Sequence, residues 1–472
     1  MTARVVVVGA GVSGLTTAFR LRQLDPSLEV TVLEAGATAG GKLTSVTVGD
    51  LELPAGADSF LARKPWAVEL CHELGLGGEL VAPAASGAYL WTERGLAPFL
   101  PETAFGIPGD VGDVLRWPGV SGAGRRRALL DLVRRKRRDP GDETLGSLLR
   151  RRLGDEVTDL AVGPLLAGLF AGDIDRLSAT ATFPELLRWE SWQGSLIRGA
   201  QAARREARRG EPGPMFLRPR AGVQRLTDEL ARDLGDRVRT GHRVEHVTRQ
   251  DAAWRVVVDG KGPLRADAVV VATEAHVARQ LLHGVARRSA DELDAIPSVS
   301  TAIVLMVYAR GTAEALPEGT GFVVPAGRAP MTACTWLSAK WPDEAFGTRA
   351  VVRCFVGSAG ADDVVDADDA DLIEACARHL AALVELPDAP EHAVVVRWPR
   401  AMPQYELGHL DRVERLRRHL PAGIFVTGQP YDGVGVPDCV RAAGATAESI
   451  VAYVQRATRT TPETPDRDEE TV

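Results

Sequence analysis

Gly9, Gly11 and Gly14 stand in the spacing Gly-x-Gly-x-x-Gly, and an acid, Glu34, follows twenty residues after the last of them. Residues of these types at these intervals can grip a nucleoside diphosphate. Gly9 permits a tight turn. Gly11 lacks the Cβ that would hold a pyrophosphate away from the backbone, and Gly14 lets a helix pack close to a sheet. A helix N-terminus behind the turn offers free N–H groups and a partial positive charge. The Glu34 carboxylate suits ribose hydroxyls and disfavours a 2′-phosphate.

Glycine-rich loops reproduce this spacing by chance, so the neighbouring elements decide its meaning. Val5 to Val8 are all β-branched, the mark of a buried strand in a parallel sheet. Leu15 to Leu24 then keep helical spacing, and a second strand, Val30 to Leu33, ends at Glu34. That order is the one a dinucleotide-binding unit requires.

Other segments could complete the site. In Ala39-Gly40-Gly41-Lys42 the glycines let the backbone pass close to a ligand, and Lys42 could face a phosphate; a plain glycine turn is the bland alternative. Gly56 and Ala57, small, then Asp58 and Ser59, polar, suit a loop touching a flat ring or a ribityl chain. Arg63 and Lys64 follow with positive charge. Near the other end, Gly423 to Gly428 reads as a buried strand closing on glycine. Gly433-Val434-Gly435-Val436-Pro437-Asp438 then opens a helix from Cys439 to Gln455, a second place for N–H groups to face an anion or a carbonyl-rich ring. A plain NAD dehydrogenase finishes its dinucleotide domain in one stretch. Pieces at both ends and in the middle point instead to a flavoprotein with inserted substrate domains.

The chain of 472 residues is long enough for two or three domains. Its net charge of −7 argues against general nucleic-acid binding. Cys71, Cys334, Cys354, Cys376 and Cys439 are scattered and form no C-x-x-C pair, which suggests neither a metal site nor a disulfide framework, and reduced thiols fit a cytosol. No targeting segment is visible, and no apolar run approaches the ~20 residues that span a bilayer. Residues 98–209 look helical and carry arginine clusters at Arg125 to Arg127, Arg134 to Arg138, Arg150 to Arg152 and Arg204-Arg205; interspersed acids favour solvated helix faces. Strand patterns return over Arg237 to Thr248, Trp254 to Val258 and Ala268 to Ala272. Ser298 to Arg397 alternates strands with one helix, Asp369 to Leu383, as a separate sheet-forming region. The tail from Arg456 to Val472 has a disordered composition.

Taken together, these residues resemble the FAD-dependent amine-oxidase and phytoene-desaturase superfamily, and within it the oxygen-dependent porphyrinogen oxidases of haem synthesis. The resemblance runs from Arg4 to about Val454. Gly9 to Gly14, Leu33-Glu34-Ala35 and Gly40-Gly41-Lys42 carry the general signature. The narrower signals are Gly56 to Leu61, Phe170 to Asp173, Leu177-Ser178, Phe183-Pro184, Met402 to Tyr405 with Gly408-His409, and Gly435 to Cys439. It implies that Gly9, Gly11, Val12, Ser13, Gly14, Gly41 and Lys42 hold the pyrophosphate, that Glu34 and Ala35 meet the ribose, and that the Val244 backbone meets the adenine. Gly56, Ala57, Asp58, Ser59, Trp398, Gly428, Val434, Gly435 and Val436 would surround the flavin. Ala57 departs from the proline of many relatives, and Leu53-Pro54 from a more polar strand.

The implied fold is α/β: a Rossmann-like FAD-binding domain assembled from residues 1–97, 210–290 and 396–455, a helical insert at 98–209, an α+β substrate domain at 291–395 and a tail at 456–472. The implied reaction takes six electrons from a porphyrinogen, giving a porphyrin and, from O2, hydrogen peroxide. The chemistry belongs to a non-covalently bound FAD, so no catalytic side chain and no metal is expected. His409 reads as structural. Arg63 and Lys64 are candidates for substrate propionates, Phe170 and Gly172 for the pocket wall. The arginine-rich insert favours the soluble tetra-acid coproporphyrinogen III over protoporphyrinogen IX. An amine or carotenoid oxidase, or a flavoprotein that carries tetrapyrrole without turnover, are the other readings. The expected location is the cytoplasm, with at most peripheral membrane contact and hand-over of product to a metal-inserting enzyme.

Overall fold

Val5 to Val8 are 5% exposed or less, and they sit at the centre of a five-stranded parallel sheet. Its order is Val238–Arg239, Glu29–Leu33, Arg4–Val8, Ala268–Val271, Ile424–Val426. The central stretches, Val5–Val8, Ala268–Val271 and Ile424–Val426, are apolar because both faces of the sheet are covered. Val5 and Val7 point to one side, against the Val12–Leu24 and Val436–Arg459 helices. Val6 and Val8 point to the other, against the Ala275–Leu282 helix and a three-stranded antiparallel sheet. The computed structural model describes residues 2–100, 103–137, 141–209 and 213–459.

A second sheet has seven strands in the order His392–Pro403, Ser298–Arg310, Arg349–Val356, Met331–Trp336, Gly321–Val323, Tyr89–Thr92, Gly95–Pro98. One face packs on the Asp369–Ala381 helix. The other, with Ile303, Leu305 and Val351, packs on Val48, Leu51 and Leu53 and so faces the dinucleotide unit. A third core gathers helices between residues 111 and 209 around Trp117, Leu148, Phe170 and Leu186.

Several expectations need correction. Residues 89–98 pair with Gly321–Val323 and belong to the seven-stranded sheet, although the 1–97 boundary grouped nearly all of them with the nucleotide unit. The first part of 396–455 likewise continues the strand that ends at Pro403. Among the described residues of 98–209 the elements are helices joined by turns, together with a hairpin of Thr103–Ala104 with Ile107–Pro108. Arg237 to Thr248 is two strands, broken where Gly241 takes φ +62°, and they join different sheets. The final helix runs through Arg459, so the start of the tail is helical; residues 460–472 lie outside the described residues. Three of the scattered cysteines converge: Cys334 and Cys354 are register partners on adjacent strands, and Cys376 comes within hydrogen-bonding reach from the covering helix. Among the described residues no helix is long and apolar enough to cross a membrane.

Candidate functional site

The site is built where the C-terminal ends of the parallel strands meet their following turns. The strand ending at Val8 gives way to Gly9, whose N–H donates to the Leu33 carbonyl at 2.8 Å and whose φ is +100°. A Cβ on Gly14 would lie 1.9 Å from the Gly9 carbonyl oxygen, so only glycine lets the Val12–Leu24 helix start this close to the sheet. A Cβ on Gly11 would meet nothing within 4 Å. Gly11 therefore faces open space beside the N–H groups of Val12 and Ser13, the cradle a pyrophosphate requires. Gly41 borders it, since its Cβ would fall 3.1 Å from the Gly11 Cα.

Glu34 is oriented by two amides: Ala10 N–H donates to one carboxylate oxygen at 2.8 Å and Gly36 N–H to the other at 2.7 Å. Each oxygen keeps a lone pair for a ribose hydroxyl. Ala35 follows, exposed. His242 N–H donates to the Glu34 carbonyl at 2.7 Å, which brings Val244 and its neighbours alongside. The residues present thus fit an extended adenine dinucleotide.

The two ends of the chain meet at Lys42. Its Nζ donates to the Ala401 carbonyl at 2.7 Å and to Gln429 Oε1 at 2.6 Å, with Glu274 at 3.7 Å. Burial lowers its pKa, only partly countered by Glu274. Lys42 is thus a strut between segments as well as a charge beside the cradle. Gln429 passes the link on, donating to the Val434 carbonyl at 2.9 Å. Gly428 abuts Ser13, and Gly435 and Val436 open the last helix. On the opposite side, a Cβ on Gly56 would lie 1.8 Å from the Lys42 carbonyl, and Trp398 Nε1 donates to the Ala55 carbonyl at 2.8 Å. Ala57 N–H reaches the same Lys42 carbonyl at 3.4 Å.

Asp58 has partners of its own within the protein. It is 6% exposed and turned away into a charge cluster: Lys340 Nζ donates at 3.0 Å, Trp341 Nε1 at 3.2 Å and Ser59 Oγ at 2.9 Å, and Arg353 pairs at 3.2 Å. Burial alone would raise the carboxyl, but the charges of Arg353 and Lys340 outweigh it and hold it well below the usual carboxylate range. Arg353 also donates to the Gly56 carbonyl at 2.8 Å. The cluster therefore fixes the loop from behind.

Lys64 meets a carboxylate of its own chain: its Nζ lies 2.6 Å and 2.7 Å from the two oxygens of Asp438, which staples the loop to the last helix. Arg63 is exposed and makes no ion pair among the described residues. Phe170 stands in the apolar wall with Val434, packed on Phe183 at 5.9 Å and Tyr405 at 5.6 Å. Gln404 donates to the Phe170 carbonyl at 2.8 Å and leaves no room for a Cβ on Gly172. His409 stacks on Tyr405 at 3.8 Å, and burial, with the Arg412 charge, pushes its pKa down to about 4, so the ring is neutral. Gln429, Arg353, Lys340 and Tyr405 were not foreseen as site residues. Only Tyr405 had a signal, its place in the Met402 to Tyr405 motif.

Residues 12–451 match the family model for flavin containing amine oxidoreductase. The coproporphyrinogen III oxidase of Bacillus subtilis (strain 168) is 32% identical over 463 residues, 95% of this chain and 98% of that protein. The coproporphyrinogen III oxidase of Staphylococcus aureus is 30% identical over 467 residues, 96% of this chain and 100% of its own. A crystal structure from Exiguobacterium sp. 255-15, provisionally named a protoporphyrinogen oxidase, is 32% identical with a TM-score of 0.86, covering 96% of this chain and 99% of that one.

Proposed function

The chain belongs to the flavin containing amine oxidoreductase family, and from that premise we propose that it is an FAD-dependent coproporphyrinogen III oxidase of haem synthesis. The observation that carries this reading is similarity to coproporphyrinogen III oxidases over almost the full length of both chains. Six electrons leave coproporphyrinogen III in three two-electron oxidations, with O2 as acceptor and H2O2 as by-product. FAD, when bound, supplies the two-electron acceptor for each of them.

The chain's own residues hold and orient. Gly11, Val12, Ser13 and Gly41 would receive the pyrophosphate and Glu34 the ribose. Gly56, Trp398, Val434 and Val436 would bracket the ring system. Phe170, Val434 and Tyr405 give the macrocycle a dry apolar wall, which keeps a reacting bridge in van der Waals reach of the cofactor. The nucleotide unit would take residues 2–88, 213–290 and 404–459, the helical insert 99–209, and the seven-stranded sheet 89–98 and 291–403. The protein acts in the cytoplasm, at most peripherally on a membrane, and passes its product to a metal-inserting enzyme.

Anaerobic mixing of the yellow holoenzyme with coproporphyrinogen III should bleach the flavin absorbance and yield porphyrin fluorescence on aeration. Bleaching by protoporphyrinogen IX with a much higher kcat/KM would replace the substrate assignment. Bleaching by neither would overturn the activity.

A further inference from the structure

We propose, resting on the reading above, that Arg218, Lys340 and Arg353 form the seat of a substrate carboxylate behind the Gly56 to Ser59 loop. The three cations come from different parts of the chain. Arg218 lies on the short Phe216–Pro219 strand, which pairs with Phe60–Leu61 just after the loop. Lys340 ends the Leu337–Lys340 turn of helix, and Arg353 lies on the inner face of the seven-stranded sheet with Phe355. They share Asp58. Lys340 is 3.0 Å and Arg353 3.2 Å from its carboxylate, while Arg218 makes no ion pair among the described residues. The other acid felt by Arg218 is Asp343, whose carboxylate already accepts the Ala345 N–H at 2.9 Å.

The charges therefore do not balance locally. The direction of each pKa says the same. Asp58 is held low by its cations, whereas burial lowers Lys340 and Arg218, and each is further disfavoured by Arg353. An uncompensated buried cation is costly, and a bound anion relieves it. The Nε atoms of Arg218 and Arg353 are buried and have no hydrogen-bond partner. Arg353 is 3% exposed. Aromatic faces fix the guanidinium planes: Arg218 lies 4.3 Å over Trp341 and Arg353 4.7 Å over Phe355. Stacking holds the plane and leaves its edge for a carboxylate, the geometry in which an arginine fork binds best. A propionate arm of a ring held against the other side of the Gly56 to Ser59 loop is the carboxylate this chemistry suits.

The test titrates the holoenzyme with coproporphyrin III and with its uncharged tetramethyl ester, reading porphyrin fluorescence. Wild type should bind the acid at least about tenfold more tightly than the ester, a preference that weakens with salt. Arg218→Gln should weaken acid binding about tenfold, leave ester binding and flavin absorbance unchanged and melt no earlier than wild type, since it removes a cation without a counter-charge; Arg218→Lys should recover part of the binding loss. Equal wild-type affinity for acid and ester, or an R218Q protein that binds the acid as wild type does, overturns the inference. So does equal weakening of both ligands. If wild type oxidises coproporphyrinogen III while these results appear, only the carboxylate seat is lost; if it oxidises no coproporphyrinogen, the functional reading goes and the seat with it.

Discussion

Asp58→Asn isolates the electrostatics behind the flavin loop. The side chain keeps its shape and one acceptor, so the change removes charge rather than volume. Wild-type Asp58 accepts from Lys340 at 3.0 Å and Trp341 at 3.2 Å, pairs with Arg353 at 3.2 Å, and is 6% exposed. Neutralising it leaves Lys340 and Arg353 buried with no counter-charge. Removing one partner of a buried pair costs about 3–5 kcal/mol. The assay is urea unfolding of the holoenzyme by circular dichroism, with flavin fluorescence as a second probe of the loop. The double variant D58N/K340M separates charge from packing. If the carboxylate works by balancing charge, deleting one cation relieves the single variant, and the double should fall short of the additive cost by about 1 kcal/mol or more. A loss below about 1 kcal/mol for D58N, or strict additivity in the double, would refute the reasoning.

Other outcomes follow from the same geometry. Gly14→Ala drives a Cβ to within 1.9 Å of a carbonyl oxygen, so the purified protein should be colourless and melt early, whereas Gly11→Ala, with nothing within 4 Å, should fold normally as apoprotein and lose FAD affinity in a direct titration. Lys64→Ala should leave KM for the porphyrinogen within about twofold, because Asp438 already occupies its charge; a large rise in steady-state KM would return Lys64 to the substrate. His409 has its pKa lowered from 6.5 to about 4, so the unfolded chain binds the proton more readily between those values. Its contribution to stability is full above pH 6.5 and is lost as the pH falls toward 4, by about 3 kcal/mol, and His409→Leu should flatten that part of the stability–pH curve.

What local sequence determined here is the nucleotide cradle. Gly9, Gly11 and Gly14 do their work within one turn, on backbone the next residues complete, and Val5 to Val8 announce a two-sided core by being apolar on both faces. The last helix and its glycine opening were legible for the same reason. Tertiary structure decided the charges. Lys340 lies 282 positions from Asp58, and Lys64 lies 374 from Asp438. In the sequence Lys64 looks like a free cation beside a flavin loop and Asp58 like a ring contact; folding hands the first a carboxylate and turns the second toward three cations. Backbone constraints act between neighbours in the chain, but neutralisation acts between neighbours in space, and only the packing of the seven-stranded sheet against the nucleotide unit fixes who those neighbours are.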